Sequence, residues 1–256
     1  MPPPRERLVA DELHVATLNL RNIADRWPER IPLLVTDMAA LQPDLLGLQE
    51  CVFSVGQDRL LGAAGAGHYQ SRQGWAARPE YGNAVLGREP LRLDKGDRLA
   101  LSHGRSALRV PVTLPSRARL DFVVTHLHHL VPDDSVRAEQ AAVVVSWLAD
   151  ITWPLVVVGD FNAEPVEATY RVMVDAGFRS AFAEANGEEP AVTWPSGIKA
   201  PGMDVDGDPG CLDYIWVRGP ITVESCRLAF DRPAVHDPTL YPSDHLGLSA
   251  RIRIGE

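Results

Sequence analysis

Runs of four to nine residues rich in Val, Leu and Ile, each closed by a polar residue, Gly or Pro, recur along the chain. They fall at Leu13–Leu20, Leu45–Gln49, Asn83–Gly87, Ala107–Leu114, Leu120–Leu127, Leu155–Phe161, Tyr214–Val217, Val223–Phe230 and Leu246–Ile254, and predict nine β-strands. Three stretches between them repeat apolar residues at helical spacing instead. Ile31, Leu34, Val35, Met38 and Leu41 mark one buried helix face; Ala141, Val144, Val145 and Leu148 mark a second. A third helix is predicted over roughly 166–176, opened by Pro165 and stopped by Gly177, residue types that suit a first turn and a helix end. Nine strands with three helices exceed what one doubly wound sheet carries, so the mix predicts an α/β protein of two packed sheets with helices outside. No repeat or low-complexity tract interrupts it. The longest irregular stretch, Pro195–Gly210, holds four Gly, three Pro and three Asp, and long loops in compact domains often carry function.

At 256 residues and 45% hydrophobic, the chain can bury a full core, and its length suits one large domain, 13–256, behind a tail over residues 1–12. Its Pro-rich, charged start lacks the apolar core of a signal peptide, and no run approaches the roughly 20 apolar residues of a membrane span. The expectation is a cytoplasmic monomer without stable membrane association. Cys51, Cys211 and Cys226 are odd in number and widely spaced, which fits unpaired thiols in a reducing compartment. A net charge of −9 argues against a protein whose main task is holding bulk nucleic acid by its phosphates. The average hides an imbalance: from Arg88 to Arg119 eight basic residues stand against three acidic ones, a balance of +5. From Asp160 to Asp213 three basic residues stand against eleven acidic ones, a balance of −8. That pattern suits an anionic substrate meeting a carboxylate-bound cation; two differently decorated solvent faces would look the same.

Chemistry-bearing residues gather where the predicted strands end. Gly159-Asp160-Phe161-Asn162 closes the run Leu155–Val158 and delivers a carboxylate and a carboxamide, sharing one face, to the lip of a sheet. Asn19, Glu50 and His126 close other runs, while Asp213 and Asp244-His245 precede two more. Several carboxylates supply the oxygen ligands that a hard cation such as Mg²⁺ requires, and a His with an Asp nearby supplies acid–base or charge-stabilising groups.

With these residues in view, the chain resembles the endonuclease/exonuclease/phosphatase superfamily, which includes deoxyribonuclease I, AP endonucleases, neutral sphingomyelinases, inositol polyphosphate 5-phosphatases and mRNA deadenylases. Its matching motifs are Thr17-Leu18-Asn19, Leu48-Gln49-Glu50, Tyr81-Gly82-Asn83-Ala84-Val85-Leu86, Thr125-His126-Leu127, Gly159-Asp160-Phe161-Asn162, Leu212-Asp213-Tyr214-Ile215 and Ser243-Asp244-His245, in the family's order. The resemblance implies a four-layer α/β/β/α sandwich with its active site at one end of the two sheets. It implies that Glu50 is the principal metal carboxylate with Asn19 beside it, and Asp244 a further metal or supporting carboxylate. Asp160 then orients or deprotonates the attacking water, and Asn162 holds the phosphate. His245 contacts the phosphate with Asp213 as its orienting partner, and His126 contacts the scissile phosphate. Arg105, Asn83 and Tyr81 are implied on the substrate side, Arg105 through a looser match.

Two departures narrow the branch. Many AP endonucleases carry a metal-binding Asp two residues after the first-strand Asn, where this chain has Arg21, and they lack a His at the position of His126. Both differences lean toward the phosphatase, sphingomyelinase and deoxyribonuclease I branches. Other features have plainer readings. His128 and His129 line a cleft rim or face solvent, Asp204-x-Asp206-x-Asp208 lacks the Gly and Glu of a calcium loop, and Trp75 and Tyr81 suit either stacking or packing. The expected function is a Mg²⁺- or Mn²⁺-dependent phosphoesterase that hydrolyses a phosphodiester or phosphomonoester by direct water attack, with a small or lipid-like organophosphate favoured. A DNA or RNA nuclease and a catalytically silent binding module on the same fold are the alternatives.

Overall fold

The apolar runs are continuous rather than alternating because the central strands are covered on both faces. The computed structural model describes residues 11–76, 81–203 and 207–255. In chain order its elements are β1 (Asp11–Asn19), α1 (Trp27–Leu41), β2 (Leu45–Cys51), α2 (Gln57–Ala64), β3 (Tyr69–Trp75), β4 (Gly82–Arg88), β5 (Arg92–Leu93), β6 (Asp97–Ala100), β7 (Ser106–Thr113), β8 (Arg119–His126), α3 (Asp134–Trp147), β9 (Leu155–Asp160), α4 (Ala168–Asp175), β10 (Arg179–Ser180), α5 (Ala181–Asn186), β11 (Asp213–Arg218), β12 (Ile221–Ala229) and β13 (Gly247–Ile254). All nine expected strands and all three expected helices form. Helix α4 starts two residues later than expected because the chain first makes a turn, Glu167 N–H to Glu164 O at 3.0 Å. Residues 1–10 of the expected tail lie outside the described residues, as do Asp204 and Asp206 of the acidic loop.

One sheet has six strands in the order β12-β13-β1-β2-β4-β3; the other has seven, β10-β11-β9-β8-β7-β5, with β6 also paired to β7. Val15, Leu45, Phe122, Val124, Val156 and Val158 meet between the sheets. The opposite faces carry Leu18, Leu46 and Leu48 against Leu34 and Met38 of α1, and Val123, Leu155 and Val157 against Ala141, Val144 and Leu148 of α3. These are the four layers of an α/β/β/α sandwich. The sheets approach so closely at Gly47 that a Cβ there would sit 2.4 Å from Val158 Cγ2. Among the described residues, no helix is long and apolar enough to cross a membrane.

Each sheet is built on one crossover. Strands β1 and β2 are parallel around α1, strands β8 and β9 are parallel around α3, and their outer neighbours β13, β4, β11 and β7 are antiparallel. The carboxyl ends of each parallel pair and the starts of its antiparallel neighbours β13, β4 and β11 therefore share one rim, where ligands of α/β sheets bind. Asn19, Glu50, His126 and Asp160 arrive there on strand ends, and Asn83, Asp213 and His245 on or just before strand starts.

On the face of β1 turned toward α1, His14 is buried, with Nε2 2.6 Å from Ser249 Oγ and its backbone N–H on Asp44 at 2.8 Å. Burial, with Arg251 nearby, lowers its pKa from 6.5 to about 4. The unfolded chain takes up this proton first, so the contribution of neutral His14 to stability is full above pH 6.5 and is lost as pH falls toward 4. Melting temperatures of wild type and His14→Gln, compared from pH 7 to 4.5, should show the flatter pH dependence in the variant; equal slopes would refute this assignment.

Candidate active site

Beyond Asn19 the chain leaves β1 through a backbone that few sequences adopt, with left-handed φ values of 53°, 37°, 46° and 63° at Arg21, Asn22, Asp25 and Arg26. A fully buried arginine holds this turn. From the first turns of α1, the Arg30 guanidinium donates to the carbonyls of Leu20, Arg21, Asn22, Ala24 and Asp25, and to that of Pro242 on the loop before β13. Burial lowers its pKa to about 10, which leaves it cationic at neutral pH. The loop so fixed donates Arg21 N–H to Asn19 Oδ1 at 3.0 Å and Asn22 Nδ2–H to Glu50 Oε2 at 2.7 Å. Glu50 has a left-handed φ of 53° where the β2–β4 register slips, and this bulge turns its carboxylate into the cleft.

Asp160 ends β9 opposite His126 on one side and Asp213 on the other. Gly159 before it has φ 148°, and a Cβ there would lie 1.9 Å from Thr125 O, so only glycine lets β9 lie this close to β8. Asp160 Oδ2 accepts from Asn19 Nδ2 at 2.9 Å across the two sheets, and Oδ1 accepts the Asn162 N–H at 2.9 Å. Asn162, itself left-handed at φ 49°, donates Nδ2–H to Leu127 O at 3.2 Å and lines the cleft. Burial and Asp213 raise the pKa of Asp160 against the pull of His245 and the Asn19 hydrogen bond, so its carboxylate is a stronger base than an exposed one.

Two histidines flank Asp160 in opposite charge states. His245 Nε2 is 3.6 Å from Asp160 Oδ2, and its Nδ1 is 2.8 Å from Asp213 Oδ2. Burial works against its charge, yet Asp213, Asp160 and Asp244 together raise its pKa and hold it as an imidazolium. His126 Nε2 is 3.4 Å from Asp160 Oδ2 and 2.7 Å from Arg105 Nη1. Arginine only donates, so His126 Nε2 is an acceptor and the ring is neutral; burial and Arg105 push its pKa well below the ordinary value. Arg105 also donates Nη2–H to His129 Nδ1 at 2.8 Å, which fixes the guanidinium at the cleft wall.

The cleft, about 380 Å³, brings together Asn19, Glu50, Tyr81, Arg105, His126, Asp160, Asn162, Asp244 and His245. Asp213 is reached through His245, and its Oδ1 is buried with no partner. Asn83 lines a side recess with Tyr81 and spends Nδ2–H on Ser106 O at 2.8 Å, tying β4 to β7 across the sheets. His128 is buried and bonded to Asp133 at 2.8 Å, away from His126. From the irregular stretch, Gly207 and Asp208 border the cleft beside Trp194. Trp75 stands exposed against the Phe53 ring. Sequence reasoning missed Arg30 and Asn22, and named Ser243 only as part of a motif, with no role of its own. Ser243 anchors the Asp244-His245 turn by donating Oγ–H to Asn19 O at 2.6 Å and accepting the His245 N–H at 3.3 Å.

Ligand-type atoms of Asp160, Asp213 and His245 lie within 4.8 Å of one another. The His245 imidazolium already supplies positive charge between those two carboxylates, which makes the trio a poor seat for a dication. Glu50 and Asp244 are the better fit. Burial and Asp244 raise the pKa of Glu50, Arg21 Nε at 3.6 Å from Asp244 Oδ2 offsets only part of the pair's charge, and with Asn19 also lining the cleft the donor set is all oxygen, as a hard cation requires.

Residues 16–245 match the model of the Endonuclease/Exonuclease/phosphatase family. Human nocturnin is 27% identical over 87% of this chain and 57% of its own length, so the chain spans little more than half of that relative. A structure of the human nocturnin catalytic domain with bound sulfate anion superposes with a TM-score of 0.74 at 25% identity, over 96% of this chain and 97% of that one. D. rerio TDP2 complexed with single strand DNA product shares the fold at 17% identity, with a TM-score of 0.77 over 94% and 99% of the two chains.

The contact between Gly159 and Thr125 yields a sharp expectation. Gly159→Ala should part β9 from β8 at Asp160, lowering both the melting temperature and the turnover of any substrate, the latter on the order of 10²-fold, the effect of about a 1 Å misplacement of a reacting group. Wild-type turnover in the folded variant would contradict it.

Proposed function

The chain belongs to the endonuclease/exonuclease/phosphatase family, whose members are metal-dependent phosphoesterases, and is itself a phosphoric ester hydrolase; from that premise we propose that it cleaves a compact phosphate ester, a phosphomonoester or short phosphodiester, by direct attack of water. One observation carries the reading: a single buried carboxylate, Asp160, stands between an imidazolium and a neutral imidazole. Asp160, its pKa raised and its oxygens held by Asn19 and Asn162, orients the water and takes its proton. His245, kept charged by Asp213, donates to a phosphoryl oxygen as negative charge gathers there. Arg105, Asn162 and His126 complete the phosphate-facing wall, with Tyr81 and Asn83 toward the substrate's remaining part. Glu50 and Asp244, with Asn19 beside them, would hold Mg²⁺ or Mn²⁺, which when bound neutralises charge on the phosphoryl group.

A compact ester is favoured over a long polyanion because the basic segment offers no continuous track. Arg88 is paired with Asp44 at 2.8 Å, Arg109 with Asp97 at 3.0 Å, and Arg119 with Asp121 at 3.2 Å; of the eight basic residues only Arg105 lines the cleft. Glu164 and Asp208 also line the cleft, where they repel a second phosphate, while Glu167 there is paired with Arg137 at 3.2 Å. The human nocturnin catalytic domain binds a sulfate anion, which supports recognition of a compact anion by a protein of this fold. Three buried, unpaired cysteines support a cytoplasmic setting. A nuclease reading draws on the single strand DNA held by D. rerio TDP2 and on Trp75 and Tyr81 as stacking faces.

Asp160→Ala and His245→Gln should each lower Mg²⁺-supported hydrolysis of a chromogenic phosphodiester by roughly 10²–10⁴-fold while leaving the fold intact. Chelation with EDTA should stop the wild type, and added Mg²⁺ should restore it. Undiminished turnover in either variant sinks the assignment. Faster cleavage of supercoiled plasmid or single-stranded RNA than of any small phosphate ester or phospholipid would replace it with the nuclease reading.

A further inference from the structure

Arg21 stands at the Glu50–Asp244 pair with no place in the chemistry described so far. Its Nε is 3.6 Å from Asp244 Oδ2 and 2.7 Å from Asp25 Oδ2, and its side chain is 28% exposed at the cleft wall it shares with Glu50. Resting on the reading that Glu50 and Asp244 hold the divalent cation, we infer that Arg21 is a positioning residue, a fixed internal cation that limits this carboxylate pair to one divalent ion.

The guanidinium is not a swinging surface charge. Asp25 grips it from behind, Arg30 binds the Arg21 carbonyl, and the Arg21 N–H closes onto Asn19 Oδ1. Backbone and side chain are thus both tied, and the charge stays at Asp244. Ligand capacity points the same way. Glu50 Oε2 accepts from Asn22, and Asp244 Oδ2 faces Arg21. What remains suits one ion that keeps several waters. A second ion bridging the same carboxylates at the roughly 4 Å spacing of two-metal sites would have to displace a guanidinium tied to Asp25 on a backbone held by Arg30 and Asn19. On the other side, the two oxygens of Asp160 are taken by Asn19 and Asn162, and the His245 imidazolium lies against it. Arginine cannot lose its proton in the physiological range, so this limit is independent of pH.

The test counts ions on the full chain without reference to turnover. Mn²⁺ titration followed by electron paramagnetic resonance and calorimetry should give one ion per wild-type chain. Arg21→Ala, which removes the neighbouring like charge, should admit a second ion. Arg21→Lys, which keeps the charge, should stay at one. If Arg21→Ala does not fold by circular dichroism, Arg21→Met, which keeps the aliphatic stem, carries the same expectation. Two ions in the wild type, two in Arg21→Lys, or a single ion in the uncharged variant would each overturn the inference. Glu50→Gln separates the two levels. Unaltered Mn²⁺ binding there would sink the metal reading itself, whereas lost binding there with an unchanged Arg21→Ala count would sink only the role of Arg21.

Discussion

Across the seam between the two sheets, Asn19 at the end of β1 donates a hydrogen bond of 2.9 Å to Asp160 at the end of β9. The bond requires both parallel strand pairs to stop on the same rim, and requires the sheets to close to within side-chain reach there. Gly159 and Gly47 permit that approach, because each lies where a side chain would strike the neighbouring strand or the opposite sheet. Once the seam is closed, the remaining polar groups have little freedom. Asp213 is set by its register with Asp160, His245 by Asp213, and the Asp244 turn by the Ser243 bond to the Asn19 carbonyl.

Neighbouring charge, more than residue type, divides the labour in this cleft. His126 and His245 are both buried and both touch Asp160, yet one faces an arginine and the other three carboxylates. Their burial costs are alike; the sign of the surrounding charge decides which carries a proton. The same logic separates the carboxylates. Asp160 and Asp213 share an imidazolium, whereas Glu50 and Asp244 have Asn22 and Arg21 and an unmet demand for positive charge.

The fold was legible because its central strands are short, continuous apolar runs rich in β-branched residues and bounded by Gly, Pro or polar residues, which sets them apart from the longer helical patterns. β3 escaped notice because Tyr69–Trp75 is polar, mostly half-buried and at a sheet edge, so it shows neither alternation nor an apolar run. β5 and β10, two residues each, and the short helices α2 and α5 carry too little pattern to read. In the site, the residues at strand ends were readable because strand direction alone brings them to one rim. Arg30 was not. An arginine on the first turns of a helix reads as solvated, and its burial follows only from six carbonyls that the folded loops turn toward it. The basic excess of five between Arg88 and Arg119 was legible as composition but not as a surface, since the acids that neutralise it include Asp44, just before β2, and Asp121 of β8.

Strand β13 inserts between β1 and β12 and brings His245 with it, pairing Ile254 with Asp11 across 243 positions of chain (254 − 11). Until that long-range pairing forms, one sheet lacks an inner strand and the cleft lacks the His245 imidazole. The strand pairing that completes the sheet is thus also what holds His245 against Asp213 and Asp160, so the cleft and the sheet cannot be altered independently at this edge.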